Sequence, residues 1–180
     1  FGTTVMAAFA AAVKIDSTAY LPVQDFGNAF SVFVAQNHGA DNRERIRKGV
    51  KSAVLVCAAF CIIISLAVCL FAEPLMKIFI DSNETAVIAV GAEYLKIEGA
   101  FYMGIGILFL LYGYFRAVEK PGISVVLTVA SLGTRVALAY ALSALPILGV
   151  RGIWMSVPIG WVIADLVGIM LYIKGRKKQP

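Results

Sequence analysis

Five long apolar runs constrain this chain more than any other feature of its sequence. They cover residues 3–36, 50–72, 87–115, 121–145 and 149–173. An α-helix rises about 1.5 Å per residue, so about 20 apolar residues cross the roughly 30 Å hydrocarbon core of a bilayer. The runs are apolar on all sides and lack the two-residue alternation of a membrane barrel. The sequence therefore predicts an all-α, polytopic membrane protein with five transmembrane helices in one unit, residues 1–180.

The composition supports a membrane protein and argues against several soluble classes. Hydrophobic residues make up 60% of the 180 residues and charged residues 15%, against about 45–50% and about 25% in soluble domains. These values disfavour a soluble enzyme, a nucleic-acid binder and a disordered region, and they make the lipid bilayer the expected partner. No nucleophile–base pair or metal-ligand cluster can be assembled, since the single His38 lies in a polar loop. We therefore expect no enzyme activity and no cofactor.

Basic residues alternate between successive loops. Of the 16 lysines and arginines, eleven lie in the 37–51 loop, the 116–120 turn and a tail that carries Lys174, Arg176, Lys177 and Lys178. Because basic residues stay on the cytoplasmic side, this pattern predicts a cytoplasmic C-terminus and an external residue 1. Phe1 is not a methionine, and a start on the outer face suggests a chain that lacks its N-terminal part. A removed signal peptide is the alternative.

Short motifs that follow one another in order cover almost the whole chain. The first run reads Ala8-Phe9-Ala10-Ala11-Ala12-Val13-Lys14-Ile15-Asp16, then Pro22, and it ends on Ala35-Gln36-Asn37-His38-Gly39-Ala40 before a basic loop. The later motifs are Glu93-Tyr94-Leu95, Tyr112 to Arg116, Gly133-Thr134-Arg135, Gly149 to Trp154 and Pro158-Ile159-Gly160-Trp161. The series resembles the second half of the MATE family, the multidrug and toxic compound extrusion transporters.

The resemblance implies both an architecture and an activity. Family members have twelve helices in two six-helix lobes, so this chain would be helices eight to twelve, without the N-terminal lobe and one further helix of the same protein. They export organic cations and other amphipathic compounds in exchange for Na⁺ or H⁺, which here implies a bacterial inner membrane. Many members carry an acidic residue eleven positions before the arginine that matches Arg116. That position is Ile105, which leaves the coupling ion open.

Four residues inside the spans are candidates for an ion or substrate cavity. A charge in the hydrocarbon costs about 2.5–3.5 kcal/mol on insertion scales, so each charged group should face protein or water. Asp25 is the first candidate, because it follows Pro22, which can kink a helix and free carbonyls for a cavity; a structural hydrogen bond is the alternative. Glu98 is a second carboxylate candidate. Arg135 is expected as a counter-charge to Asp25 or Asp165, and Tyr112 as part of an aromatic wall or of ordinary packing.

The other polar residues within the runs are assigned to structure. We expect Lys14 and Asp16 to serve helix packing or the external mouth, and Asp165 to form a helix-packing hydrogen bond. Gln36 and Asn37 are expected to cap the end of the first helix. Glu93 and Lys96 are three positions apart and are predicted to pair.

Two other functions remain open on the residues alone. A lipid-linked oligosaccharide flippase of related architecture needs a basic cavity for pyrophosphate, and the spans offer Lys14 and Arg135 for it. A non-transporting membrane scaffold would need its charges for assembly only.

Overall fold

The computed structural model describes residues 2–177, so Phe1 and Lys178 lie outside the described residues. Within this part the chain forms helices and no strand. The helices are α1 (Thr3–Gly39), α2 (Arg43–Leu70), α3 (Ala72–Met76), α4 (Thr85–Gly99), α5 (Tyr102–Ala117), α6 (Pro121–Ser143) and α7 (Val150–Lys177). The prediction of an all-α fold is confirmed. The tail predicted after residue 173 is helical through Lys177, as a continuation of α7.

Four of the five predicted spans are long and apolar enough to cross a membrane. Three are the single helices α2, α6 and α7, and the fourth is the bent pair of α4 and α5. The 37 residues of α1 exceed the length of a span, but α1 falls outside this set because polar residues such as Lys14, Asp16 and Asp25 interrupt its apolar pattern. That α1 crosses the membrane stays a prediction.

The outward faces of the helices are apolar, as lipid contact requires. On α2, Leu55 is 71% exposed and Ile63 is 67% exposed. A monomer in water rarely leaves such side chains in one continuous exposed surface, whereas hydrocarbon solvates them without cost.

The third predicted span differs from expectation, since it is broken. Helix α4 ends at Gly99, α5 begins at Tyr102, and their axes differ by 51°. At the break the amide of Phe101 donates to the carbonyl oxygen of Glu98 at 3.0 Å. The apolar pattern continues through the break, and Gly99, which has a low helix propensity, is the weak local signal of it.

The structure gathers the basic loops at one end of the helix bundle. A cavity there is bordered by His38 and Arg47 of the α1–α2 region, Lys120 before α6 and Gly175 near the end of α7. At the opposite end, Arg151 forms a salt bridge with Glu93 at 2.5 Å. We call the end that carries this cavity and the basic loops the basic end. The alternation of charge along the sequence therefore corresponds to two ends in space.

A close approach of two backbones holds α1 against α5. A Cβ atom at Gly27 would lie 3.0 Å from the carbonyl oxygen of Phe109, and one at Gly113 would clash with the carbonyl oxygen of Gly27. Without a hydrophobic force between helices in lipid, small residues that allow such contact are the main source of helix association.

Gly113→Ala is expected to destabilise the protein by about 1–3 kcal/mol, the usual cost of overpacking, because a backbone atom cannot move aside as a flexible side chain can. The thermal unfolding midpoint of the purified protein measures the loss. Gly133→Ala is the control, because a Cβ there meets nothing within 4 Å. Equal midpoints for the two variants would contradict the assigned contact.

Candidate ion and substrate site

Three carboxylates are buried within the helices. Glu98 of α4 is fully buried, and Asp16 of α1 and Asp165 of α7 are each 6% exposed. Burial of an ionised carboxylate in a membrane is costly unless a partner or an ion compensates it. The surroundings of these three side chains are therefore the first place to look for function.

Asp16 has a strong partner on a different helix. Its Oδ1 accepts a hydrogen bond from the hydroxyl of Tyr102 at 2.8 Å. Tyr102 is fully buried and opens α5 directly after the helix break. The sequence did not predict this contact. The two residues are 86 positions apart, and such a spacing gives no local pattern from which the pair could be predicted.

Glu98 has no such partner. Neither of its carboxylate oxygens has a hydrogen bond to any residue that the structure describes. Asp16 and Glu98 interact electrostatically with each other and with Arg135 of α6, but within residues 2–177 Arg135 makes no salt bridge to either carboxylate. Arg135 was expected to compensate Asp25 or Asp165. Within the described residues Arg135 forms no salt bridge with Asp25 or Asp165, and its Cβ lies on the side of α6 that packs against α7, 3.6 Å from where a Cβ at Gly160 would be.

Asp165 lies apart from this group. It faces α5, where a Cβ atom at Gly104 would lie 3.7 Å from its Oδ2. Its Oδ1 has no hydrogen bond within the described part of the chain, so the packing bond expected of Asp165 is not observed there. Glu93 also departs from expectation, since it pairs with Arg151 and not with Lys96.

Asp25 lies on the outer face of α1. The side chains at positions 14, 18, 21, 25, 28, 32 and 36 are all exposed. Their spacing of three to four residues places them on one helical face, and α1 remains helical through Pro22. The polar members, which we call the polar stripe, are Lys14, Thr18, Asp25, Asn28 and Gln36. Lys14 and Asp25, separated by eleven residues, thus share a face, about 16 Å apart along the axis.

A small polar pocket borders the polar stripe. It has a volume of about 280 Å³ and is lined by residues of α1, α5 and α6, including Asn28, Tyr112 and Arg116. Arg116 donates to the Asn28 Oδ1 at 3.0 Å, and Thr128 donates to the Tyr112 hydroxyl at 3.2 Å. The structure therefore brings Tyr112 beside the face that carries Asp25.

The end of α1 is built differently from the predicted cap. Gln36 is exposed, while the Asn37 amide donates to the carbonyl oxygen of Phe33 at 2.7 Å inside the same helix. The side chain that caps a helix here is that of Asn42, which accepts from the amide of Arg45 at the start of α2.

Long apolar helices, one of them broken, are the features of a polytopic α-helical membrane protein. The family model of MatE matches residues 1–141, and the chain belongs to the MatE family. The resemblance read from the motifs is thereby confirmed.

Curated relatives and a solved structure extend this comparison. The chain is 28% identical over 180 residues to "Probable multidrug resistance protein YpnP" of Bacillus subtilis, covering 99% of this chain and 39% of that protein. It is 26% identical over 176 residues to "FAD transporter" of Shewanella oneidensis, covering 97% and 37%. A MATE family transporter in an outward-facing conformation has the same fold, with a TM-score of 0.90, 21% identity, and coverage of 99% and 40%. The chain thus spans about two fifths of the length of these proteins.

Tyr102→Phe is expected to lower the free energy of unfolding by about 0.5–1.5 kcal/mol, the usual contribution of one hydrogen bond, because Asp16 loses its donor. Thermal unfolding of the purified protein measures this loss. The control is Tyr140→Phe, since Tyr140 is 78% exposed. In an Asp16→Asn background the effect of Tyr102→Phe should shrink; an undiminished effect there would contradict the assigned pair.

Proposed function

We propose that this chain is the C-terminal lobe, helices eight to twelve, of an antiporter that exports cationic or amphipathic compounds in exchange for Na⁺ or H⁺. Membership of the MatE family and the name of the multidrug resistance relative from Bacillus subtilis support the class of substrate. The protein would lie in a bacterial inner membrane with its basic end in the cytoplasm, as the charge pattern predicts.

The observation that carries the proposal is the buried Glu98 carboxylate beside the α4–α5 break. Its two oxygens are free of hydrogen bonds within residues 2–177, and Asp16 adds a second carboxylate. When both are ionised, the region carries excess negative charge, because no described residue forms a salt bridge with either carboxylate. A proton or a Na⁺ ion would neutralise that charge, so occupancy would change the energy of the region strongly.

The helix break offers a place where that energy can change the conformation. Broken helices in transporters let one segment move against another around a fixed site. In the proposed mechanism, loading or release of the coupling ion at Glu98 shifts the balance between two arrangements of α4 and α5. The polar stripe, with Asp25 and the pocket around Tyr112, would receive the substrate on the face of α1 that no described helix covers.

Glu98→Gln is expected to reduce ion-driven export of ethidium by about tenfold or more, the effect of about 1.4 kcal/mol, because the amide cannot exchange a proton or balance a Na⁺ charge. The protein, at the full length at which the cell makes it, is reconstituted into proteoliposomes, and the rate of ethidium export is measured under an imposed pH gradient or Na⁺ gradient. The gradient that drives export identifies the coupling ion.

Glu73→Gln is the matched control, since Glu73 is an exposed carboxylate before α4. Full export by Glu98→Gln at equal protein content would remove Glu98 from the coupling mechanism. Loss of assembly without any change in export would favour the scaffold interpretation.

Asp25→Asn is expected to weaken export of a cationic dye, because the polar stripe loses its carboxylate, while the rate for a neutral amphipathic substrate changes little. Competition between the two substrates in the same proteoliposomes measures the difference. Unchanged export of the cation would exclude Asp25 from the substrate path.

A second candidate substrate class is anionic. The relative named "FAD transporter", Lys14 within the polar stripe and Arg116 bound to Asn28 of the stripe favour it. The anionic class is supported if Lys14→Gln reduces export of flavin adenine dinucleotide and Asp25→Asn does not. Export that falls with Asp25→Asn and not with Lys14→Gln supports organic cations.

A further inference from the structure

A cavity at the basic end combines charged and aromatic side chains. Its volume is about 650 Å³, and it lies between the α1–α2 turn, the start of α6 and the end of α7. The groups relevant to binding are His38, Arg43, Arg47, Tyr114, Lys120 and Tyr172. None of the buried carboxylates described above lines this cavity.

The charges in this cavity are unevenly compensated. Two acidic residues also line it, but Asp41 lies 3.1 Å from Arg43 and Glu44 lies 2.7 Å from Lys48. Arg47 and Lys120 have no salt bridge to any residue that the structure describes. Both are exposed toward the cavity. The cavity therefore presents a positive charge that a phosphate group would complement.

An apolar groove of about 290 Å³ adjoins the cavity. It runs between α2, α5 and α7 and is lined by aliphatic residues such as Val54, Ile107 and Ile173, together with Phe30. Val54 is 42% and Ile173 is 48% exposed, so the groove opens toward the surrounding hydrocarbon. Its shape and chemistry suit an acyl chain and offer nothing to a soluble anion.

Two tyrosines join the cavity to the groove. Tyr114 and Tyr172 line both spaces, and their rings are 4.9 Å apart in an edge-to-face arrangement. Tyrosine has an apolar ring and a polar hydroxyl, and it is enriched where headgroups meet hydrocarbon. The pair thus lies at the boundary that a phospholipid would cross.

We propose that the cavity and the groove together form a binding site for one anionic phospholipid, with its phosphate between Arg47 and Lys120 and an acyl chain along α2, α5 and α7. The bound lipid bridges three segments that are far apart in the sequence. Its occupancy therefore stabilises the basic end of the bundle by linkage.

The test uses the protein purified at the full length at which the cell makes it. The protein is stripped of lipid and then titrated with dioleoyl phosphatidylglycerol or with dioleoyl phosphatidylcholine. Native mass spectrometry gives the lipid dissociation constants and thermal unfolding gives the stabilisation. The anionic lipid is expected to bind about tenfold or more tightly, and Arg47→Gln/Lys120→Gln to weaken it roughly 25-fold, at about fivefold per basic residue near lipid.

The matched control is Lys51→Gln/Lys77→Gln, which removes the same net charge from exposed positions outside the cavity. The groove is tested by Val54→Trp, which should weaken binding of dioleoyl phosphatidylglycerol because Val54 lines the groove. The neighbouring Leu55→Trp, outside the groove lining, should leave binding unchanged. A phosphatidylglycerol with short hexanoyl chains tests the groove without mutation and should bind several-fold more weakly.

Equal affinity for the two dioleoyl lipids, or an equal loss in the control double variant, would overturn the proposal. Stabilisation by soluble glycerol 3-phosphate as strong as that by dioleoyl phosphatidylglycerol would also overturn it, since it would indicate a simple anion site.

Discussion

The backbone contact between α1 and α5 is the constraint on which the rest of this structure depends. At Gly27 and Gly113 the two helices approach so closely that a Cβ atom on either glycine would lie within 3.0 Å of a carbonyl oxygen of the other helix. Lipid gives no hydrophobic reason for helices to associate, so such close packing has to supply the attraction. The two hydrogen bonds between these helices, Tyr102 to Asp16 and Arg116 to Asn28, lie on either side of the contact. Each therefore depends on the same helix crossing.

The parts of the fold that the sequence predicted are those decided by local chemistry. The run 50–72 is apolar on all sides, which is typical of a segment surrounded by lipid. In lipid the backbone has to form its own hydrogen bonds, so a helix such as α2 is expected. The basic loops were predicted to share one side, and they do meet at one end of the bundle. The ordered motifs also identified the family correctly.

The parts that the sequence did not predict depend on which helices meet. The α4–α5 break lies within one long apolar run in which Gly99 is a weak local signal, and the bond of Tyr102 to Asp16 joins residues 86 positions apart. Arg135 forms no salt bridge with Asp25 or Asp165 within the described residues, and its partner could not be predicted because a charge on one helix can face any of several neighbouring helices. Asp25, singled out because of Pro22, turned out to be exposed on a helix that Pro22 does not interrupt.

In the proposed antiporter, the two faces of α1 offer a way to link ion binding with substrate binding. Asp16 and Asp25 are nine residues apart, which on a helix of 3.6 residues per turn places them on opposite sides and about 13 Å apart along the axis. One side chain is buried toward Tyr102 and Glu98, and the other belongs to the polar stripe. An unbroken helix transmits a displacement along its length, whereas α4 and α5 can change their mutual angle at the break. An ion that displaces Asp16 relative to Glu98 therefore displaces α1, and with it the polar stripe. The close contact at Gly27 and Gly113 prevents α1 and α5 from absorbing that displacement between them.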